Sequence, residues 1–296
     1  MNDQNDVSVL TSVKSCYRIV LDCPDRIGIV TKVGEIIARN GGWISEAAQH
    51  SDEDNCWFFA RFEIQSASIS ISKEALYTQF LPIIAEFKLN LRIEDSRQKK
   101  QVVLMASKGS HCLSDLLDRW KSGDLECDIA CVISNHDDLR GLVEYYQIPY
   151  HKVVIEKDNK APGFIEVETL VEQYNTDCVV LARYMQILPE SLCEKLKYKV
   201  INIHHSFLPA FIGAKPYHQA SNRGVKLIGA TCHYVTADLD EGPIIEQDVV
   251  RVTHNEQVTD LVRLGKDVEK TVLARGLRAH LEDRILVHGN KTVVFN

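Results

Sequence analysis

The run Val200-Ile201-Asn202-Ile203-His204-His205-Ser206-Phe207-Leu208-Pro209 carries the side chains best suited to chemistry. Read as a strand, its alternation puts Val200, Asn202 and His204 on one face and Ile201 and Ile203 on the other. An amide and an imidazole then project together from a strand end. The amide donates to a carbonyl oxygen that gains negative charge during attack, and the imidazole donates a second bond or passes a proton. Losing one such donor typically costs about 3 kcal/mol of transition-state stabilisation. Asp240 lies in the acidic loop Asp238-Leu239-Asp240-Glu241-Gly242 after another strand-like run. A carboxylate there can accept a proton from an attacking water or amine and hold an imidazole charged. The three groups suit acyl transfer without a covalent intermediate. Spacing alone leaves a second reading open, in which Asn202 and His204 are a hydrogen-bonded structural pair.

Such groups need a rigid frame. From residue 101 onward, strongly apolar runs at 101–105, 128–134, 151–155, 178–182 and 200–204 alternate with helical periodicity, as at 113–120 and 164–174. This predicts an α/β fold with a mostly parallel, doubly wound sheet covered on both faces, whose ligands bind at the carboxyl ends of strands. Two later strands, 229–235 and 243–249, flank the acidic loop. A long helix over 257–283 follows, then a hairpin turning at Gly289-Asn290.

The first part of the chain has another rhythm. Strand alternation at 17–22, a turn at 23–26 and helical spacing of Ile29, Val33, Ile36 and Ile37 come first. Strands at 43–50 and 56–65, a helix at 73–87 with a kink expected at Pro82, and an extended piece at 89–93 follow. The order βαββαβ predicts a small ferredoxin-like split sheet with helices on one face. Polar residues 94–100 read as the linker, giving domains 1–95 and 96–296.

At 296 residues, 45% hydrophobic and 25% charged, the chain is an ordinary globular protein long enough for two cores. A formal net charge of -7 gives no electrostatic footprint for nucleic acid and favours a small-molecule partner. Residues 1–15 lack the basic and apolar regions of a signal or transit peptide, and no apolar run approaches membrane-spanning length. Nine scattered cysteines without a CxxC pair read as small buried hydrophobes in a reducing, cytoplasmic compartment, and no clustered ligands predict a metal.

Beyond these readings, Asn202-Ile203-His204, Ser206-Phe207-Leu208-Pro209, Gly213-Ala214-Lys215-Pro216-Tyr217-His218-Gln219-Ala220, and His233 with Leu239-Asp240-Glu241-Gly242-Pro243 resemble the signature of the formyltetrahydrofolate-using transformylase superfamily. The resemblance runs from about Val102 to Val252. It implies that Asn202 and His204 bind and polarise a formyl oxygen, and that Asp240 mediates proton transfer and positions the nucleophile. It also implies that Met185, Ile187 and Leu188 line a pteridine pocket, with Asp238, Leu239 and Gly242 on the substrate side of the acidic loop. Without it, the apolar three read as core packing. His233 either supports the site from a neighbouring strand or is a satisfied core histidine. Ser221-Asn222-Arg223 and Cys232 look less usual for the superfamily.

Asp25-Arg26-Ile27-Gly28 and Asn40-Gly41-Gly42 are similar to the turns of an ACT regulatory domain. That implies an amino-acid effector near Asp25, Ile27 and Gly28, and pairing into a homo-oligomer. An ACT domain ahead of such a catalytic domain resembles the formyltetrahydrofolate deformylase family, which implies hydrolysis to formate and tetrahydrofolate, formate supply for purine synthesis, and no metal or organic cofactor. Members that formylate glycinamide ribonucleotide carry a glycine-rich phosphate loop after the first strand; the matching stretch here, Ala106-Ser107-Lys108-Gly109-Ser110-His111, has one glycine. Two other readings stay open: a transferase with an amine acceptor, and an inactive folate-binding regulator.

Overall fold

The computed structural model describes residues 15–210 and 216–296. Residues 1–14 and the Gly213-Ala214-Lys215 part of the motif lie outside the described residues. The chain divides into two compact units that meet between Gln98 and Lys99.

The first unit contains β1 (Cys16–Pro24), α1 (Ile29–Arg39), β2 (Ile44–Asp52), β3 (Trp57–Gln65), α2 (Lys73–Phe87) and β4 (Asn90–Asp95). Its sheet is antiparallel in the order β2-β3-β1-β4. Gly28 takes φ 99° ahead of α1, a left-handed turn suited to glycine. From there Ile29, Val33, Ile36 and Ile37 are buried with Ile19, Leu21 and Phe80 in one core. Ser72 caps α2 by accepting from the Ala75 N–H. Pro82 lies inside α2, which continues as one helix to Phe87. Burial of Leu76, Phe80, Ile83 and Phe87 outweighs the backbone bond that proline removes.

The second unit contains β5 (Lys100–Ala106), α3 (His111–Lys121), β6 (Cys127–Ser134), α4 (Arg140–Tyr145), β7 (Tyr150–Lys152), α5 (Ala161–Gln173), β8 (Cys178–Leu181), α6 (Glu190–Lys195) and β9 (Val200–His204). It continues with α7 (Pro216–Arg223), β10 (Leu227–Tyr234), β11 (Ile244–Arg251), α8 (Val258–Leu281), β12 (Ile285–His288) and β13 (Lys291–Val294). Seven strands form one sheet in the order β11-β10-β9-β8-β5-β6-β7. β5 to β9 run parallel, and β10 and β11 are antiparallel. β12 and β13 pair as a separate hairpin.

Both faces of this sheet are covered, as continuous apolar strands require. On one face Leu113, Leu116, Val272, Leu273 and Leu277 of α3 and α8 pack with Val102, Leu104, Ile201 and Ile203. On the other, Phe164, Val167, Leu192 and Cys193 of α5 and α6 pack with Val103, Met105 and Val200. The alternation along β9 therefore splits Val200 from Ile201 and Ile203. β7 is shorter than the apolar run at 151–155 suggests, because it is the sheet edge with β6 as its one neighbour. Strand order reverses at β5, with β6 and β7 to one side and β8 and β9 to the other, which opens a crevice at the strands' carboxyl ends.

Burial pushes the thiols of Cys127 and Cys131 up to about 12, so both stay protonated as small apolar groups. Among the described residues, no helix is long and apolar enough to cross a membrane.

α8 lies against β10 at a near-contact distance. A Cβ at Gly276 would meet Cys232 Sγ at 2.4 Å. Gly276→Ala is therefore expected to destabilise the fold by about 1–3 kcal/mol through overpacking, after the helix-propensity gain of at most about 1 kcal/mol is overcome. A lower urea midpoint with unchanged slope is the check.

Candidate active site

Just past the ends of β8 and β9 the chain builds a cavity of about 440 Å³, a size that suits a small ligand. Its walls come from Leu181, Arg183 to Leu188 and Cys193, Asn202 to His205, and His233 with Val235 to Asp240. Met185, Ile187 and Leu239 are more than half exposed along these walls, whereas Leu188 is buried. The first wall is tied down by Ser107, in the single-glycine loop. Its N–H donates to the Arg183 carbonyl, and its Oγ accepts from the Met185 N–H at 2.9 Å. Lys108 and Gly109 of that loop are exposed.

Register places the polar groups. β10 pairs antiparallel with β9 so that His233 stands opposite Asn202 and Thr231 opposite His204. A bulge between Cys232 and His233 in the β10–β11 pairing re-aims the chain there, as bulges beside functional sites often do. Thr231 Oγ1 donates to the Ser206 carbonyl and accepts from the Leu208 N–H, fixing the turn after His204.

The hydrogen bonds of His233 define its tautomer. Nδ1 is 2.9 Å from the Tyr234 carbonyl, which can only accept, so Nδ1 carries the proton. In the neutral ring Nε2 then accepts from the Asn202 amide at 3.1 Å. Burial is the main cause that lowers the His233 pKa, in keeping with a neutral ring. One N–H of Asn202 is thereby fixed, and the other and the amide oxygen remain for a ligand.

His204 Nδ1 lies 3.2 Å from Asp240 Oδ2, with both side chains largely buried. Nε2 of His204 is buried without a partner among the described residues. It can meet a substrate oxygen, accepting from a neutral ring or donating from an imidazolium. Burial acts to raise the Asp240 carboxyl, but the hydrogen bond and charge of His204, with His233 and His205 behind, outweigh it and hold the group below its ordinary value. Asp240 takes φ 59°, an uncommon left-handed conformation for a residue with a side chain. Gly242 does not line the cavity. A Cβ there would meet the Tyr234 carbonyl oxygen at 1.8 Å, so only glycine lets the loop close over the end of β10.

Residues 100–277 match the sequence profile of the family described as formyl transferase. The formyltetrahydrofolate deformylase of Synechocystis is 47% identical over 94% of this chain and 97% of its own length. A crystal structure of a formyltetrahydrofolate deformylase from Pseudomonas syringae superposes with a TM-score of 0.95 at 60% identity, covering 97% of this chain and 96% of the other. One from Burkholderia mallei superposes at 0.90 and 42% identity, covering 95% and 99%. The chain belongs to the formyltetrahydrofolate deformylase family.

In this deformylase-family chain the structure brings Asn202, His204, His233, Asp238, Leu239 and Asp240 together with Met185, Ile187 and Leu188 around one cavity. Asp25, Ile27 and Gly28 belong to the first unit, where the Asp25 N–H donates to the Cys56 carbonyl and Ile27 is fully exposed.

Sequence reasoning missed Arg183 and His205, which also line the cavity. Behind them sits a buried network. Glu269, 1% exposed, accepts from Tyr217 Oη at 2.6 Å and His111 Nε2 at 2.7 Å, and lies 3.4 Å from Arg183 Nε. One signal was readable: Glu269 interrupts the buried face of α8 beside Val272 and Leu273, and a carboxylate there demands partners. The partners come from distant segments, so spacing could not name them. His111, Cys112 and Glu269 are close enough to hold a metal ion, but the same carboxylate already has a guanidinium beside it.

Burial, with Arg183 and His204 adding to it, lowers His205 from 6.5 to about 4. Between those values the unfolded chain binds a proton at this position that the folded chain does not, so stability is full above about pH 6.5 and falls as pH drops towards 4. His233 acts in the same direction. Urea midpoints should therefore fall from near neutrality to mildly acidic pH, and His205→Gln should show a smaller drop than the parent.

Proposed function

We propose that the chain hydrolyses 10-formyltetrahydrofolate to formate and tetrahydrofolate, with water as the acceptor of the formyl group. The observation that carries this reading is the match, across both units, to relatives named formyltetrahydrofolate deformylase. The cavity chemistry supports it. The pteridine of a folate has flat ring faces and a polar edge, and Met185, Ile187, Leu188 and Leu239 offer surface to the faces. Asp238 offers a polar edge.

Water attacks the formyl carbon, forming a C–O bond as the carbonyl electrons move onto oxygen. Asp240, ionised and held by His204, accepts the water proton. The second Asn202 N–H and His204 Nε2, when the ring carries both protons, donate to the oxyanion. Neutral His233 holds the Asn202 amide in that orientation. Collapse breaks the C–N bond as Asp240 returns the proton it took from water to the departing folate nitrogen, and the formic acid then gives its proton to solvent to leave formate. No step of this proposal calls on a metal or organic cofactor.

Incubation with 10-formyltetrahydrofolate alone should release formate, whereas an amine-dependent transferase would need an acceptor. Asp240→Asn is expected to lower kcat by at least about 100-fold while the folate still binds. Near-normal turnover in that variant would overturn the assignment of Asp240.

We further infer that the first unit is an ACT-like regulatory domain in a cytoplasmic homo-oligomer. β2 is a sheet edge with mostly exposed residues, and exposed edges are usually covered. A small amino acid would bind near the left-handed turn at Gly28, beside Asp25 and Ile27. Isothermal titration with the common amino acids should give heat for at least one, and none from any would remove the effector.

A further inference from the structure

We infer that Arg183 forms a carboxylate subsite in the wall of the cavity, and that this subsite receives the formate product. The inference deepens the hydrolytic reading and rests on it.

The argument begins with charge. Hydrolysis turns a neutral formamide into an anion inside a space that already holds the Asp240 carboxylate. Two carboxylates in a half-buried cavity repel each other, so the second needs a cation of its own. Arg183 is the arginine in the lining, and the pattern of its contacts leaves the useful part of the guanidinium available. Nε faces Glu269 Oε2 at 3.4 Å. Among the described residues, the two terminal nitrogens make no hydrogen bond. A guanidinium held at Nε presents a fork whose spacing matches both oxygens of a carboxylate.

The fork is also held in place. Arg183 takes φ 64°, and its carbonyl accepts from the Ser107 N–H, so the backbone is fixed at the bend. Glu269 is in turn held by Tyr217 and His111, which prevents it from swinging with the arginine. His205 stands between the two centres, its ring 5.1 Å from that of His204 and 6.1 Å from that of Tyr217. The side chain of Arg183 is 19% exposed, whereas Met185 and Ile187 two and four positions on are more than half exposed. That depth suits a one-carbon carboxylate better than a long substrate tail.

The test uses the intact protein and ¹³C-formate, with binding followed by ligand-observed NMR and, separately, by product inhibition. Arg183→Gln is expected to weaken formate binding at least about tenfold and to leave tetrahydrofolate affinity unchanged. Arg183→Lys, which keeps the charge but loses the fork, should fall between the two, and it carries the test if the glutamine variant does not fold. Unchanged formate affinity in a folded variant overturns the subsite. A loss of tetrahydrofolate affinity in its place also overturns it, because it assigns the guanidinium to a carboxylate of the folate. A parent protein that binds formate through Arg183 but releases none from 10-formyltetrahydrofolate supports the subsite and counts against the hydrolytic reading instead.

Discussion

The 3.2 Å contact between His204 Nδ1 and Asp240 Oδ2 is the interaction around which the second unit is arranged. A buried carboxylate is costly unless its charge is answered, and a histidine answers it only if its ring is held in one orientation. β9 supplies the ring from the middle of the sheet, and the Thr231 hydroxyl fixes the turn that follows. The register of β10 sets His233 beside Asn202, so that one amide hydrogen of Asn202 has a defined acceptor. Displacing β10 by one residue would exchange Thr231 and His233 for the core side chains Cys232 and Tyr234.

Much of this was legible because it follows from periodicity. Strand alternation placed Asn202 and His204 on one face, and the separation of Val200 from Ile201 and Ile203 between two cores is the same fact seen in packing. The apolar strands alternating with helices at 101–204 gave the mostly parallel, covered sheet, since such strands have no other way to bury both faces. The short helices α4, α6 and α7 were not legible, having one to three buried residues each and so no readable period. The bulge at His233 was also hidden, because it is a property of two strands rather than of one.

The network behind the cavity shows a different limit. His111, Arg183, Tyr217 and Glu269 come from four segments and meet only through the tertiary fold. Each alone has a plain local reading: a helix start, a loop cation, an aromatic on a short helix, and an acidic residue on a long one. Their meaning is collective. Burial would raise the Glu269 carboxyl, and the bond from His111, the charge of Arg183 and the bond from Tyr217 together bring it below its ordinary value. A network of this kind is stable only when complete, so its members act as one structural unit.

The antiparallel direction of β10 has a further bearing on Asp240. Because β10 runs against β9, its chain leaves near Val200, where the Val235 N–H donates to the Val200 carbonyl, and loops out before β11 begins beside the end of β10. Both ends of that excursion are pinched together, the Tyr234 N–H on the Pro243 carbonyl and Gly242 against the Tyr234 oxygen. A loop closed at its base can gain or lose residues at its tip without shifting the register of the strands it joins. Asp240 therefore rides on a loop, while Asn202 and His204 are set in an inner strand of the sheet.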